Sequence, residues 1–90
     1  MPTRTVAVGS ASGLHARPAK LFVEAAAKQP VAVTIRTGDK KPVPAKSILG
    51  VLSLGAKQGT EVTIEAADGD GAQAALDDLA SLLARDLDAE

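Results

Sequence analysis

Three short stretches of the chain, at residues 4–8, 31–37 and 60–66, place apolar side chains at every second position. Such alternation is typical of β-strands that bury one face. A weaker strand is expected around residues 40–43, on a sheet edge, because Pro42 cannot donate a backbone hydrogen bond to a neighbouring strand. Val6 and Val8 share one face of the first strand, and the residues expected to point inward in the other two are Val31, Val33, Ile35, Val62 and Ile64.

Three other stretches have the spacing of helices. The first runs from residue 16 to about residue 28, with polar side chains on its outer face, and Pro30 ends it. Ser47 is a good N-cap for a short helix of about two turns that ends at Gly55. Asp70 is the expected N-cap of the last helix. Its inward apolar residues are Ala72, Ala75, Leu76, Leu79, Leu82 and Leu83.

The predicted order of elements is therefore βαββαβα within 90 residues. A chain of this length forms one small domain, and neither a linker nor an internal repeat divides residues 1–90. So few strands with amphipathic helices between them predict an α+β fold of two layers, one sheet with its helices packed on one face.

Composition narrows the possible functions. The chain has no cysteine and one histidine, so neither a disulfide framework nor a structural metal site is expected. Phe22 is the only aromatic residue, which argues against stacking on nucleic-acid bases. We find neither a signal peptide nor an apolar stretch long enough to span a membrane, and we expect a cytoplasmic protein that does not insert into membranes.

The formal net charge of −1 conceals an asymmetry. Residues 1–60 hold nine Lys or Arg against two Asp or Glu, whereas residues 61–90 hold one against nine. Both regions are explained equally well as solvated surface. The basic part nevertheless predicts an acidic partner surface, because Arg17, Lys20, Lys46 and Lys57 lie in or beside the two motifs described next.

The first motif is Gly13-Leu14-His15-Ala16-Arg17-Pro18-Ala19. His15 is a good neutral nucleophile at cytoplasmic pH, and a helix that begins there offers unpaired backbone N–H groups to an anion. Arg17 adds charged hydrogen-bond donors, and Pro18 is tolerated in the first helical turn. The motif favours a phosphoryl-accepting site. On these residues alone a solvated helix cap is the commoner interpretation.

The second motif spans residues 45–59 and opens on Ser47. Together the two motifs resemble the signatures of the HPr family, the histidine phosphocarriers of the bacterial phosphoenolpyruvate:sugar phosphotransferase system. The resemblance covers essentially the whole chain. It departs in the proline-rich segment 39–44, which carries an extra residue, and at Leu49 and Leu52, where many relatives have methionine.

The resemblance implies an open-faced sandwich with a four-stranded antiparallel sheet in the order 1-4-2-3. It also implies that His15 receives a phosphoryl group on Nδ1 from Enzyme I and gives it to the IIA domains of sugar permeases. Arg17 would hold the phosphoryl oxygens, beside the backbone N–H groups of Ala16 and Arg17. Such a carrier is not an enzyme and uses no cofactor and no metal.

The short middle helix has more apolar residues than one face can bury. Val51 and Leu54 are expected to point inward, whereas Ile48, Leu49 and Leu52 point elsewhere. Burial under a loop and an exposed patch are the two explanations. The resemblance favours the second, because the family docks its partners on this helix beside the histidine. Docking residues are then Lys20, Lys46, Ile48, Leu49 and Leu52.

Ser47 is by default an ordinary helix cap. The resemblance implies regulation there by a serine kinase/phosphorylase and recognition by a catabolite-control transcription factor. Two other functions stay open. One is a carrier in a nitrogen-regulatory or dihydroxyacetone-kinase system, and the other is a regulatory binding module that acts through Ser47 alone. His15 argues against the latter, because relatives of that kind lack the histidine.

Overall fold

The structure is a computed structural model that describes residues 2–11, 13, 14, 16–38 and 40–85. Within them the chain has the predicted order βαββαβα, an α+β fold. No helix in this part of the chain is long and apolar enough to cross a membrane. The elements are β1 (Thr3–Ala7), α1 (Ala16–Ala27), β2 (Val33–Thr37), β3 (Val43–Pro44), α2 (Ile48–Ser53), β4 (Glu61–Ala66) and α3 (Ala72–Ala84).

The strands form one sheet in the order β1-β4-β2-β3, and each neighbouring pair is antiparallel. The central strand β4 pairs with β1 through Val6 and Val62, and with β2 through Ile35 and Ile64. This order confirms the expected open-faced sandwich. It brings the end of β1 and the start of β4 together, where the loop toward His15 begins.

The core lies between the helices and one face of the sheet. Side chains at alternate positions of β2 and β4 are buried, and the intervening ones are partly or fully exposed, which confirms the period-two interpretation. Helix α3 packs on β1 and β4, and α1 packs against α2 and α3. The largest fully buried side chains are Phe22, Ile35, Ile64, Leu76, Leu79 and Leu83.

The edge strand differs from the prediction. It is Val43–Pro44, not residues 40–43, so Pro42 lies outside it and Pro44 inside. Pro44 pairs with Thr34, and β3 is the last strand in the order of the sheet. A proline is tolerated on such an edge because its missing N–H interrupts no pairing with a further strand. The expected edge position is thus correct and the boundary is wrong, because only two residue pairs fix this strand.

Asp70 is not the cap of α3. The N-cap is Gly71, with φ of 86° and no capping side chain. A Cβ at Gly71 would lie 3.0 Å from Cγ of Pro30, so the entry into α3 passes close to the loop between α1 and β2. Glycine fits this position because it adopts a positive φ without a steric penalty. The helix thus starts one residue later than the local cap signal predicted, at a position whose conformation and close surroundings favour glycine.

Candidate functional site

The loop between β1 and α1 leads directly into the predicted nucleophile. His15 itself lies outside the described residues, but Leu14 before it and Ala16 after it are described. Leu14 is buried, and its N–H donates to the carbonyl of Ala56 at 2.8 Å. Ala16 is the first residue of α1. The chain is thus fixed immediately before His15 by a buried anchor and immediately after it by a helix.

Gly13 strengthens this anchor by allowing two backbones to approach closely. Its φ is 74°, and a Cβ there would lie 2.3 Å from the carbonyl oxygen of Ala56 and 2.8 Å from Cα of Lys57. Both its conformation and its surroundings therefore require glycine. The contact brings the segment that follows α2 against the histidine loop and places Lys57, which is exposed, next to it.

The first turns of α1 divide into an inner and an outer face. Pro18 and Ala19 are buried, whereas Arg17 and Lys20 are exposed. Arg17 and Lys20 line a surface groove of about 490 Å³ with Leu21 and Glu24. The outer face of α1 therefore presents two cations within the two turns that follow His15.

Helix α2 lies beside α1 and presents an apolar surface. Val51 within the helix and Leu54 at its C-cap are both buried, as predicted. Leu49 is 79% exposed, Ile48 39% and Leu52 38%. We refer to Ile48, Leu49 and Leu52 as the α2 patch. The exposure of these three side chains excludes the alternative interpretation, that a loop buries them.

Ser47 is the N-cap of α2, as predicted, and its side-chain oxygen accepts a hydrogen bond from the N–H of Gly50 at 3.2 Å. The residue is half-buried, and the neighbouring Lys46 is exposed. Lys46 also lines a second groove, of about 450 Å³, at the other end of α1. That groove is formed mainly by small apolar residues between α1 and β2, far from Arg17.

The structure thus joins Arg17, Lys20 and the α2 patch on neighbouring helices, but it leaves the histidine side chain undescribed. In the part of the chain that is described, no group of three or more Asp, Glu or His residues is arranged to hold a metal ion. Sequence reasoning missed Gly9, which contacts the end of α3. A glycine in a loop of small residues was the available signal, because glycine often marks a close approach of two backbones.

Comparisons with known proteins agree on one family. The family model for the PTS HPr component phosphorylation site matches residues 2–85. Phosphocarrier protein HPr of Streptomyces coelicolor is 52% identical over 88 residues, which cover 98% of this chain and 94% of that protein.

Solved structures give the same answer. A crystal structure of a phosphocarrier protein HPr from Bacillus anthracis superposes with a TM-score of 0.83 at 39% identity, covering 91% of this chain and 95% of that one. The solution structure of Crh, the catabolite repression HPr of Bacillus subtilis, has a TM-score of 0.65 at 43% identity, covering 91% and 95%.

Proposed function

Since the chain belongs to the HPr family of phosphocarrier proteins of the phosphotransferase system, we propose that it accepts a phosphoryl group from phospho-Enzyme I on His15 and passes it to IIA domains of sugar permeases. The carrier works in the cytoplasm and is itself transiently phosphorylated. We expect it to use no cofactor.

In the first transfer, Nδ1 of neutral His15 attacks the phosphorus of the donor phosphohistidine. A new N–P bond forms as the donor N–P bond breaks. The donor ring, protonated on its other nitrogen, leaves as a neutral imidazole, and phosphorylated His15 keeps its own proton on Nε2. No proton has to move between the two proteins. Because little covalent work is needed, the carrier contributes mainly position and charge neutralisation.

Two groups of donors beside His15 are suited to the phosphoryl oxygens. The first turn of α1 has backbone N–H groups without intrahelical partners, and Ala16 and Arg17 contribute theirs next to the histidine. The Arg17 guanidinium extends from the exposed face of the same turn and adds charge-assisted hydrogen bonds. Arg17 therefore acts in the transfer as a clamp on the phosphoryl group.

Partner docking uses the surface beside this site. The α2 patch supplies apolar contact area, and the exposed Lys20 and Lys46 supply positive charge. An apolar centre with cations around it fits a partner whose own surface is apolar at the centre and acidic around it. Enzyme I and the IIA domains are the partners expected to present such surfaces.

Ser47 is the proposed regulatory position. A phosphoryl group there would add about −1.5 to −2 charges at the N-terminus of α2, adjacent to the α2 patch. The helix itself tolerates the charge, but an acidic partner does not. We therefore propose that a serine kinase/phosphorylase modifies Ser47 and that a catabolite-control transcription factor binds the phosphorylated form.

The observation that carries the proposal is the fixed geometry around His15. Leu14 is anchored to Ala56, α1 begins at Ala16 and carries the exposed Arg17, and α1 packs against α2, the helix that carries the α2 patch. The test is a reconstituted relay of Enzyme I, phosphoenolpyruvate, this protein and a IIA domain. Phosphoryl label should reach the IIA domain only when the carrier is present. Labelling at the same rate without the carrier would contradict the proposal.

The same relay separates the alternative systems. In one parallel reaction a nitrogen-branch Enzyme I replaces Enzyme I. In another, a dihydroxyacetone kinase replaces the IIA domain. The sugar branch is expected to show the highest kcat/KM. A higher value with either substitute would assign the carrier to that other system.

A further inference from the structure

The end of α3 touches the loop that carries the histidine. The N–H of Gly9 donates to the carbonyl of Leu83 at 2.8 Å, and the Ser10 hydroxyl donates to the carbonyl of Arg85 at 3.5 Å. Gly9 also lies so close to Ala84 that a Cβ there would be 2.1 Å from its carbonyl oxygen. We refer to these contacts of Gly9 and Ser10 with residues 83–85 as the α3 junction.

The junction requires glycine at position 9 because there is no space for a Cβ, and not because of the backbone conformation. Its φ lies outside the positive range, unlike that of Gly13. An alanine therefore suits the local backbone, and the nearest obstacles to its Cβ are backbone atoms of Ala84 and Arg85. The obstructing atoms belong to the backbone of α3, so no side-chain rotation relieves the collision.

The junction is connected to His15 by a short, hydrogen-bonded path. The carbonyl of Ser10 accepts from the N–H of Gly13 at 2.9 Å, which closes a turn between the two residues. Gly13 in turn precedes Leu14, the buried anchor to Ala56. Displacement of Gly9 and Ser10 is thus transmitted through one turn to the residues next to the histidine.

We propose that the α3 junction positions His15 for phosphoryl transfer, with Gly9 as the positioning residue. The inference rests on the proposed phosphocarrier function and adds a third structural element, the C-terminal turn of α3, to the site built by α1 and α2. Neither Gly9 nor α3 belongs to the docking surface. Their contribution therefore affects the transfer step and leaves partner binding unchanged.

The expected effect follows from the size of the collision. In Gly9→Ala the contact must open from 2.1 Å to at least 3.0 Å, an increase of about 0.9 Å. A misplacement of about 1 Å in a reacting geometry costs up to about 100-fold in rate. We expect kcat for phosphorylation by Enzyme I to fall about 10- to 100-fold, with KM unchanged.

Two further variants separate positioning from loss of stability. Ala84→Pro disturbs the last turn of α3 without changing the sequence of the loop, since proline removes an N–H and collides with the preceding turn. It should lower kcat as Gly9→Ala does. Ala74→Gly is the matched control, because it weakens α3 through backbone propensity alone at an exposed position near the other end of the helix. It should lower the melting temperature and leave kcat at the wild-type value.

All variants are assayed below their own melting temperatures, with folding verified by circular dichroism. A wild-type kcat in folded Gly9→Ala overturns the positioning role, and if that variant does not fold, a wild-type kcat in Ala84→Pro overturns it instead. An equal loss of kcat in Ala74→Gly also overturns it, because stability alone would then explain the effect. If the wild-type protein accepts no phosphoryl group, the proposed function fails together with this inference. A failure confined to the variants concerns the junction alone.

Discussion

Replacing Ser47 by aspartate should weaken docking to Enzyme I while leaving the fold intact. The Ser47 side chain caps α2 by accepting from the N–H of Gly50 at 3.2 Å. Aspartate caps a helix about as well as serine does, and its charge suits the positive end of the helix dipole. The melting temperature should therefore stay the same or rise slightly.

The size of the docking effect follows from the position of the new charge. It lies at the start of α2, next to the exposed Lys46 and the α2 patch. Two like charges about 7 Å apart repel by about 1 kcal/mol at an effective dielectric constant of about 40, between those of a protein surface and water. Facing one or two acidic groups of the partner, the aspartate costs about 1–2 kcal/mol, or about 5- to 30-fold in KM at low salt.

The assay measures KM for Enzyme I at low and at physiological ionic strength, with two controls. Ser47→Asn keeps a good cap without the charge, so both its KM and its stability should match the wild type. Ser47→Ala loses the cap, which costs about 1 kcal/mol and about 4–8 °C of melting temperature in a domain of this size. The effect of aspartate on KM should shrink as salt rises, because ions screen exposed charges.

The reasoning is refuted if Ser47→Asp has the wild-type KM at low salt. Ser47 would then be a helix cap only, and the α2 patch would lie outside the surface that Enzyme I contacts. An equal rise of KM in Ser47→Asn would also refute it, because that variant adds no charge.

Two other predictions concern the phosphoryl clamp and the core. Arg17→Ala should slow transfer about 10- to 100-fold, because a charged hydrogen bond worth about 1.5–3 kcal/mol is lost. The extent of phosphorylation at equilibrium should not change. A wild-type rate in quench-flow measurements would contradict the clamp role. Thr37→Val should raise the free energy of unfolding by about 1 kcal/mol in urea titrations, since Oγ1 of Thr37 is buried without a hydrogen-bond partner among the described residues. Thr37→Ser, which keeps the hydroxyl and loses the methyl group, should be less stable than the wild type, and a stability gain there would contradict the explanation.

Local patterns predicted the elements whose burial is regular. In β4, Val62 and Ile64 alternate with exposed or half-exposed residues, and the period of two therefore appears directly in the sequence. Counting how many apolar residues one helical face accommodates separated the buried Val51 from the α2 patch, and the resemblance favoured exposure of that patch over burial under a loop. The order of the strands came from the resemblance to a family, because pairing between distant segments leaves no local trace.

The misplaced boundaries depend on distant contacts. Gly71 and not Asp70 is the cap of α3, and the entry into this helix lies close to Pro30, 41 residues earlier in the chain. The α3 junction has the same origin, since no property of Gly9 alone indicates that Ala84 lies beside it. Around His15, the motif predicted a phosphoryl-accepting site and the start of a helix. The anchor of Leu14 to Ala56 emerged only from the structure.

The acceptor role of His15 is tested most directly by intact mass spectrometry after incubation with Enzyme I and phosphoenolpyruvate. We expect one phosphoryl group per molecule, labile to acid and stable to base, as a phosphorus–nitrogen bond requires. His15→Ala should remain folded and acquire none. Equal phosphorylation of His15→Ala, or an acid-stable phosphoryl group on the wild-type protein, would contradict the account.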